Sequence, residues 1–275
     1  MRGRVLIIAG SDSGGGAGIQ ADIKTVTALN GYAMTAITAL TAQNSHGVHA
    51  VLPVPEDFIR RQIEVVLDDF GADAIKIGML HRAEVIHAVA DVLDEMAPGI
   101  PLVLDPVMVA KGGQALLQGD AVTALQTRLL ARASVITPNV PEAEALSGLK
   151  ILHDADFGQV AQKLESFGVH DILFKGGHLP GDGSPDPTIT DVLWRAGQNQ
   201  VRFCAPRVDT RHTHGTGCTL AAALACGLAQ GLGLAAAVGR AHRYVQQAIR
   251  TAPGYGGGHG PLNHAHTVGT FDNDG

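Results

Sequence analysis

The sequence predicts an α/β fold: three layers, α/β/α, around a mainly parallel central sheet with an antiparallel edge. Three observations predict it. Short runs rich in Val, Ile, Leu and Ala recur along the chain and alternate with helical patterns, the signature of parallel strands covered by crossover helices. Near residues 189–205, two β-rich runs are parted only by a short polar connection, which suits a hairpin. Finally, 275 residues with 45% hydrophobic and 17% charged side chains suit one well-filled core, read as a single domain over 1–275.

The elements follow in order. Val5 to Ala9 is apolar behind Met1-Arg2-Gly3-Arg4, too short for a signal sequence and turned at once by Gly10-Ser11-Asp12, so 4–9 is a buried first strand. A glycine-rich loop then feeds a helix over Ile19–Leu29. Further strands are expected at about 33–40, 73–77, 101–105, 133–137 and 171–175. Glu56–Phe70 carries Phe58, Ile59, Ile63, Val66 and Leu67 on one helical stripe, and Ala83–Met96 carries Val85, Val89, Val92 and Leu93. Ile189–Trp194 and Val201–Cys204, separated by Arg195 to Gln200, form the antiparallel edge. Two helices, about 216–230 and 234–250, close the fold near Pro253-Gly254. Leu179–Pro187, dense in Gly, Pro and Asp, reads as a loop placed to cover a nucleotide, and 254–275 reads as a flexible tail.

Charge and cysteine content exclude several function classes. With 26 acidic against 20 basic residues, the formal charge is −6, and no dense Lys/Arg stripe offers a surface to nucleic acid or an anionic membrane. The three cysteines, Cys204, Cys218 and Cys226, lack the spacing of a zinc site or a redox pair, which suits a reducing, cytoplasmic setting. The apolar stretch 219–238 is interrupted by Gly227, Gln230, Gly231 and Gly233, so no membrane span is expected.

Chemistry concentrates at predicted strand ends. Gly215-Thr216-Gly217-Cys218 opens an Ala/Leu-rich helix, where backbone N–H groups converge on an anion at the positive end of the helix dipole. Ala9 to Gly18 leaves the first strand, but its consecutive glycines fit neither a dinucleotide fingerprint nor a Walker A loop. Asp22 lies in the following helix. Gln43 follows the second strand, and its amide offers donor and acceptor side by side, matching the edge of an aminopyrimidine. Asp105 ends one strand, Asn139 and Glu142 follow the next, and these oxygens suit Mg²⁺ held through water near phosphates. Glu142 also falls in the first turn of a helix entered by Pro141, so stabilising that helix end is its structural alternative. Lys175 ends another strand, in Phe174-Lys175-Gly176-Gly177-His178, where it can meet a phosphate. The pairs His212/His214 and His264/His266 have no third metal ligand of known position and read as loop or surface histidines.

Taken together, Gly10-Ser11-Asp12-Ser13, Gly18-Ile19-Gln20-Ala21-Asp22, Thr41-Ala42-Gln43-Asn44, Asp105-Pro106-Val107-Met108 and His212 to Thr219 resemble the ribokinase superfamily. The likeness runs from about residue 5 to 250 and is greatest to the vitamin kinase branch that phosphorylates hydroxymethylpyrimidine and its monophosphate in thiamine synthesis. The resemblance implies a ribokinase-like fold, ATP and Mg²⁺ as cofactors, a small-molecule substrate and a homodimer. It implies that Gly10, Asp22, Gln43 and Met79 line the pyrimidine pocket. It implies that Asp105 and Glu142 serve the metal, that Asn139, Lys175, Thr213 and Gly215 bind ATP, and that Gly215, Gly217 and Lys175 stabilise the transferring phosphoryl group. The loop reaching Lys111-Gly112-Gly113 would close over the phosphates, and the superfamily's lid strands are expected to be absent.

Cys218 departs from the wider superfamily, which carries an aspartate base at that position. A helix N-terminus lowers a thiol's pKa, so a thiolate base is the expectation. Gly14 stands where the family has serine. The rival readings are a pyridoxal kinase of the same superfamily and a non-catalytic pyrimidine-binding regulator.

Overall fold

The computed structural model describes residues 2–108, 117, 119–176 and 188–269; Gly177, His178, Leu179–Pro187 and the loop with Lys111-Gly112-Gly113 lie outside the described residues. The elements are β1 (Arg4–Ala9), α1 (Gly18–Ala28), β2 (Tyr32–Ile37), β3 (Ala39–Asn44), β4 (Gly47–Pro53), α2 (Glu56–Asp69), β5 (Ala74–Ile77) and α3 (Ala83–Met96). They continue with β6 (Leu102–Leu104), α4 (Gly119–Ala124), β7 (Val135–Ile136), α5 (Val140–Ser147), α6 (Phe157–Glu165) and β8 (Asp171–Phe174). The last are β9 (Thr188–Arg195), β10 (Val201–Pro206), α7 (Thr216–Ala229) and α8 (Leu234–Arg250).

The main sheet has the order β10-β9-β8-β7-β6-β5-β1-β2, parallel from β2 to β8 and antiparallel at β9 and β10. Its two faces follow from strand alternation. Along β1, Leu6 and Ile8 pack towards α2, α3, α5 and α6, whereas Val5, Ile7 and Ala9 pack towards α1, α7 and α8. In β6, Leu102 and Leu104 share the first face and Val103 the second. Nearly every one of these side chains is fully buried, so the sheet is sealed on both sides. No helix among the described residues is long and apolar enough to cross a membrane.

Two expectations fail. The run read as one strand, 33–40, is broken at Thr38, whose N–H donates to Ala9 O at 3.1 Å and whose hydroxyl donates to Met79 O at 2.7 Å. Beyond it, β3 and β4 form a separate two-stranded antiparallel flap, so a lid strand pair is present. The tail is also built in as far as residue 269. Leu262 and His264 are buried, Asn263 N donates to Ala248 O at 3.0 Å, and His266 Nε2 lies 3.0 Å from Tyr244 O. Short side chains and glycines gave it the look of a flexible end, but several of its backbone groups, at Gly257, Gly258, His259, Gly260 and Asn263, bond to neighbouring elements.

Candidate active site

Parallel strands deliver their carboxyl ends to one rim, and there the chain encloses a cavity of about 750 Å³. Gly10, Gln43, Met79, Asp105, Asn139, Glu142, Lys175, Thr213, Gly215, Gly217 and Cys218 all border it. Asp22 does not, contrary to expectation. It faces the sheet from α1, fully buried, and its Oδ2 accepts from Lys76 Nζ at 2.7 Å. Lys76, in the middle of β5, reaches the cavity wall instead. Burial pushes the Asp22 carboxyl up to about 6, against the pull of Lys76. Burial also opposes charge on Lys76, yet Asp22, Cys218 and Asp105 hold its pKa above the ordinary lysine value. The ammonium is therefore a fixed positive charge beneath the floor of the site.

The turn before α7 owes its shape to glycine. Gly215 caps the helix at φ +85°, where a Cβ would stand 1.8 Å from Gly16 O. At Gly217 a Cβ would approach Lys175 Nζ to 3.3 Å and Asp105 Oδ2 to 3.6 Å, so its absence lets both groups come up to the helix N-terminus. Thr216 Oγ1 donates to Thr213 O at 2.7 Å and steadies the turn.

Lys175 Nζ donates to Asp105 Oδ1 at 2.8 Å and lies 3.6 Å from Glu142 Oε2. Thr137 Oγ1 donates to the same Asp105 oxygen at 2.9 Å. Burial works against charge on Asp105, but Lys175 and Lys76 hold its carboxyl below the usual range. Glu142 forms a reciprocal cap with Asn139: Glu142 N donates to Asn139 Oδ1 at 2.9 Å, and Asn139 N to Glu142 Oε2 at 2.8 Å. Both thus hold the start of α5, the structural alternative for Glu142, while still lining the cavity. Burial raises Glu142, with Lys175 opposing. The donor set is hard oxygen, and Lys175 engages one oxygen of each carboxylate while Asp105 Oδ2 faces Gly217. The pair therefore fits Mg²⁺ held partly through water.

Cys218 corrects a second expectation. Half-buried at the first turn of α7, its thiol is pushed up to about 11 by burial, with Lys76 opposing and Asp22 and Asp105 adding to the rise. Burial first, and the neighbouring carboxylates of Asp22 and Asp105 second, outweigh Lys76 and the helix N-terminus, so the resting group is a thiol.

On one side of the cavity, Met79 packs over Gly10 and the flap brings in Gln43. Gln43 Nε2 lies 3.3 Å from His214 Nε2, which lies 2.8 Å from Asp12 Oδ2. Asp12 also accepts from Gly14, Gly16 and Ala17 N–H at 2.8, 3.0 and 2.8 Å. Burial opposes its charge, yet these bonds hold the carboxyl below the usual range. His214 is thus a loop histidine on the cavity, and His264 a loop histidine buried against Thr219 Oγ1 at 3.0 Å, so both are loop residues as expected but neither lies on the surface. The cavity is also lined by Leu220, Val245 and Ile249, which make an apolar wall, with His242 and Gln246 one turn apart on α8. Among the described residues, His242 Nε2 and Gln246 Oε1 are buried without a hydrogen-bond partner.

Lys76, Asp12, His214, His242 and Gln246 were missed from sequence. Lys76 carried a usable signal, a lone charge inside the apolar run Ala74-Ile75-Lys76-Ile77. His242 and Gln246 had none beyond sharing a helix face.

Comparison with known proteins decides the family. The phosphomethylpyrimidine kinase family model matches residues 12–263. The chain belongs to the phosphomethylpyrimidine kinase family. The hydroxymethylpyrimidine/phosphomethylpyrimidine kinase of Bacillus subtilis is 46% identical over 261 residues, 95% of this chain and 94% of the relative. The thiamine biosynthesis bifunctional protein of Geobacter sulfurreducens is 47% identical over 263 residues, and this chain spans 52% of its length. Among solved structures, an ADP complex of B. subtilis pyridoxal kinase aligns with TM-score 0.86 and 36% identity, covering 96% of this chain and 98% of that one. The ribokinase-like fold is thereby shared with phosphomethylpyrimidine kinases and pyridoxal kinases alike, and sequence identity is higher to the former.

Proposed function

We propose that the protein transfers a phosphoryl group from ATP to the hydroxymethyl oxygen of 4-amino-5-hydroxymethyl-2-methylpyrimidine, and then a second to the resulting monophosphate, in thiamine biosynthesis. The observation that carries this reading is the contact between Gln43 and His214, because His214 directly precedes the Gly215 turn. A ring held by the Gln43 amide has its substituent beside the backbone N–H groups that receive a phosphoryl group. Met79 against Gly10 supplies an apolar surface for the ring.

The roles follow from chemistry. Gly215 to Cys218 and Lys175 neutralise charge developing on the transferring group. Mg²⁺ would be held by Asp105 and Glu142, supplying charge neutralisation and alignment at the phosphates. Asn139, Lys175, Thr213 and Gly215 bind the ATP phosphates, and Gln246 Oε1, which has no hydrogen-bond partner among the described residues, meets the edge of the base together with His242, whose Nε2 lies 3.8 Å from Asp191 Oδ2. Cys218, a thiol at rest, has no site for a second proton; it aligns the substrate hydroxyl, whose proton leaves late to an oxygen of the arriving phosphoryl group, as a loose phosphoryl-transfer transition state tolerates. Leu40 and Leu52, paired across the flap and exposed, offer an apolar face for a homodimer; Leu52→Lys should weaken dimers in sedimentation, and unchanged dimers would exclude that face.

The test is phosphorus NMR of the purified protein with ATP, Mg²⁺ and the pyrimidine alcohol. The monophosphate signal should rise first and give way to the diphosphate; ATP left unconsumed would refute the assignment. Cys218→Ala should lower kcat far more than it raises KM, and unchanged turnover would remove its role.

A further inference from the structure

The glycine-rich segment 254–262 touches both halves of the site. Its amide at His259 donates to Ser45 O at 2.8 Å, and Gly258 N to Ser45 Oγ at 3.2 Å. Ser45 is the tip of the flap, two residues beyond Gln43. On the other side, His214 N donates to Gly260 O at 3.1 Å, and Arg211 Nη1 to Gly257 O at 3.2 Å. The segment is anchored behind by Leu262, buried, and by His264, whose carbonyl accepts from Tyr244 Oη at 2.5 Å. One stretch of backbone thus joins the flap carrying Gln43 to the loop carrying the anion turn.

Gly258 makes this contact possible. A Cβ there would lie 2.3 Å from Ser45 O, a backbone atom, so any side chain must push flap and strap apart. By contrast a Cβ on Gly269 would meet nothing within 4 Å.

We infer that residues 254–262 are a positioning strap for the phosphoryl transfer, with Gly258 setting the register of the flap against the Gly215 turn. The inference rests on the proposed role of Gln43 in holding the ring. Neither strap nor flap tip needs to touch the reacting atoms; the strap fixes the distance between the group that holds the ring and the group that receives charge. Misplacement by about 1 Å costs up to roughly a hundredfold in rate.

The test compares Gly258→Ala with Gly269→Ala. Gly258→Ala is expected to lower kcat/KM for the pyrimidine alcohol by about tenfold or more, to leave KM for ATP near the wild-type value, and to speed amide exchange at residues 41–48 without speeding it in α7. Gly269→Ala should match wild type. Ser45→Ala, which deletes one bond without a clash, should move the same quantities in the same direction by less, and serves if Gly258→Ala does not fold. Unchanged flap exchange, or equal losses for both substrates in step with a fall in Tm, would overturn the inference. Because exchange needs no substrate, it reads the strap even if turnover on the pyrimidine fails.

Discussion

The residues that set the electrostatics of the site lie under its floor. Lys76 and Asp22, both wholly inaccessible, form a buried ion pair whose Oδ1 oxygen on Asp22 has no partner among the described residues. Such a pair costs desolvation, so removing one member strands a charge. Lys76→Met should lower stability by about 3–5 kcal/mol in denaturant unfolding, and adding Asp22→Leu should recover most of it without restoring activity. A single variant as stable as wild type would mean the pair is not buried. Cys218 makes a second claim at this scale. With its thiol raised to about 11 by burial, it should react with iodoacetamide at pH 8 more slowly than exposed Cys204. Early modification of Cys218 would contradict the raised pKa. The residue type and position of Cys218 were legible in the sequence, but its ionisation was not, because that depends first on its burial in the fold and then on Asp22 from α1 and Asp105 just after β6.

Among the elements, parallel strands and their helices were legible because buried strands announce themselves as apolar runs. The flap was not. Ala33 to Ala42 carries no glycine, proline or asparagine to mark a turn, and only Thr38, bonded to both β1 and the end of β5, redirects the chain. The strap was misread for the opposite reason, since its glycines serve close packing against Ser45 rather than disorder. Its anchor is sensitive to acid. Burial pushes His264 down to about 4, helped by nearby Lys24, His266 and His214. A histidine whose folded pKa is depressed contributes stability above its unfolded value of about 6.5, and that contribution is lost as pH falls from there towards 4. Unfolding measured between those values should show stability declining with acid, and His264→Gln should flatten the slope; a slope of the same size in the variant would place the titration elsewhere.

Across the whole molecule, the same parallel sheet explains why candidates scattered from Gly10 to Cys218 meet. Each follows a strand whose carboxyl end opens on one rim, so the site residues named from sequence, Asp22 apart, all reach the cavity wall. What escaped were Lys76 within β5, Asp12 and His214 in the loops, and His242 and Gln246 on a face of α8, while Asp22, named from sequence, points inward from α1. Rotation of a helix by one residue decides between wall and core, and local sequence does not fix it. The fold is shared with pyridoxal kinases, so the proposed substrate choice is tested at the cavity end where Gln43, His214 and Asp12 form one network. The direct measurement is therefore kcat/KM with ATP for hydroxymethylpyrimidine, its monophosphate and pyridoxal on the same preparation. Both pyrimidines should be turned over with kcat/KM well above that for pyridoxal, and Gln43→Leu should erase most of the difference; preference for pyridoxal, or indifference to Gln43, would contradict the account.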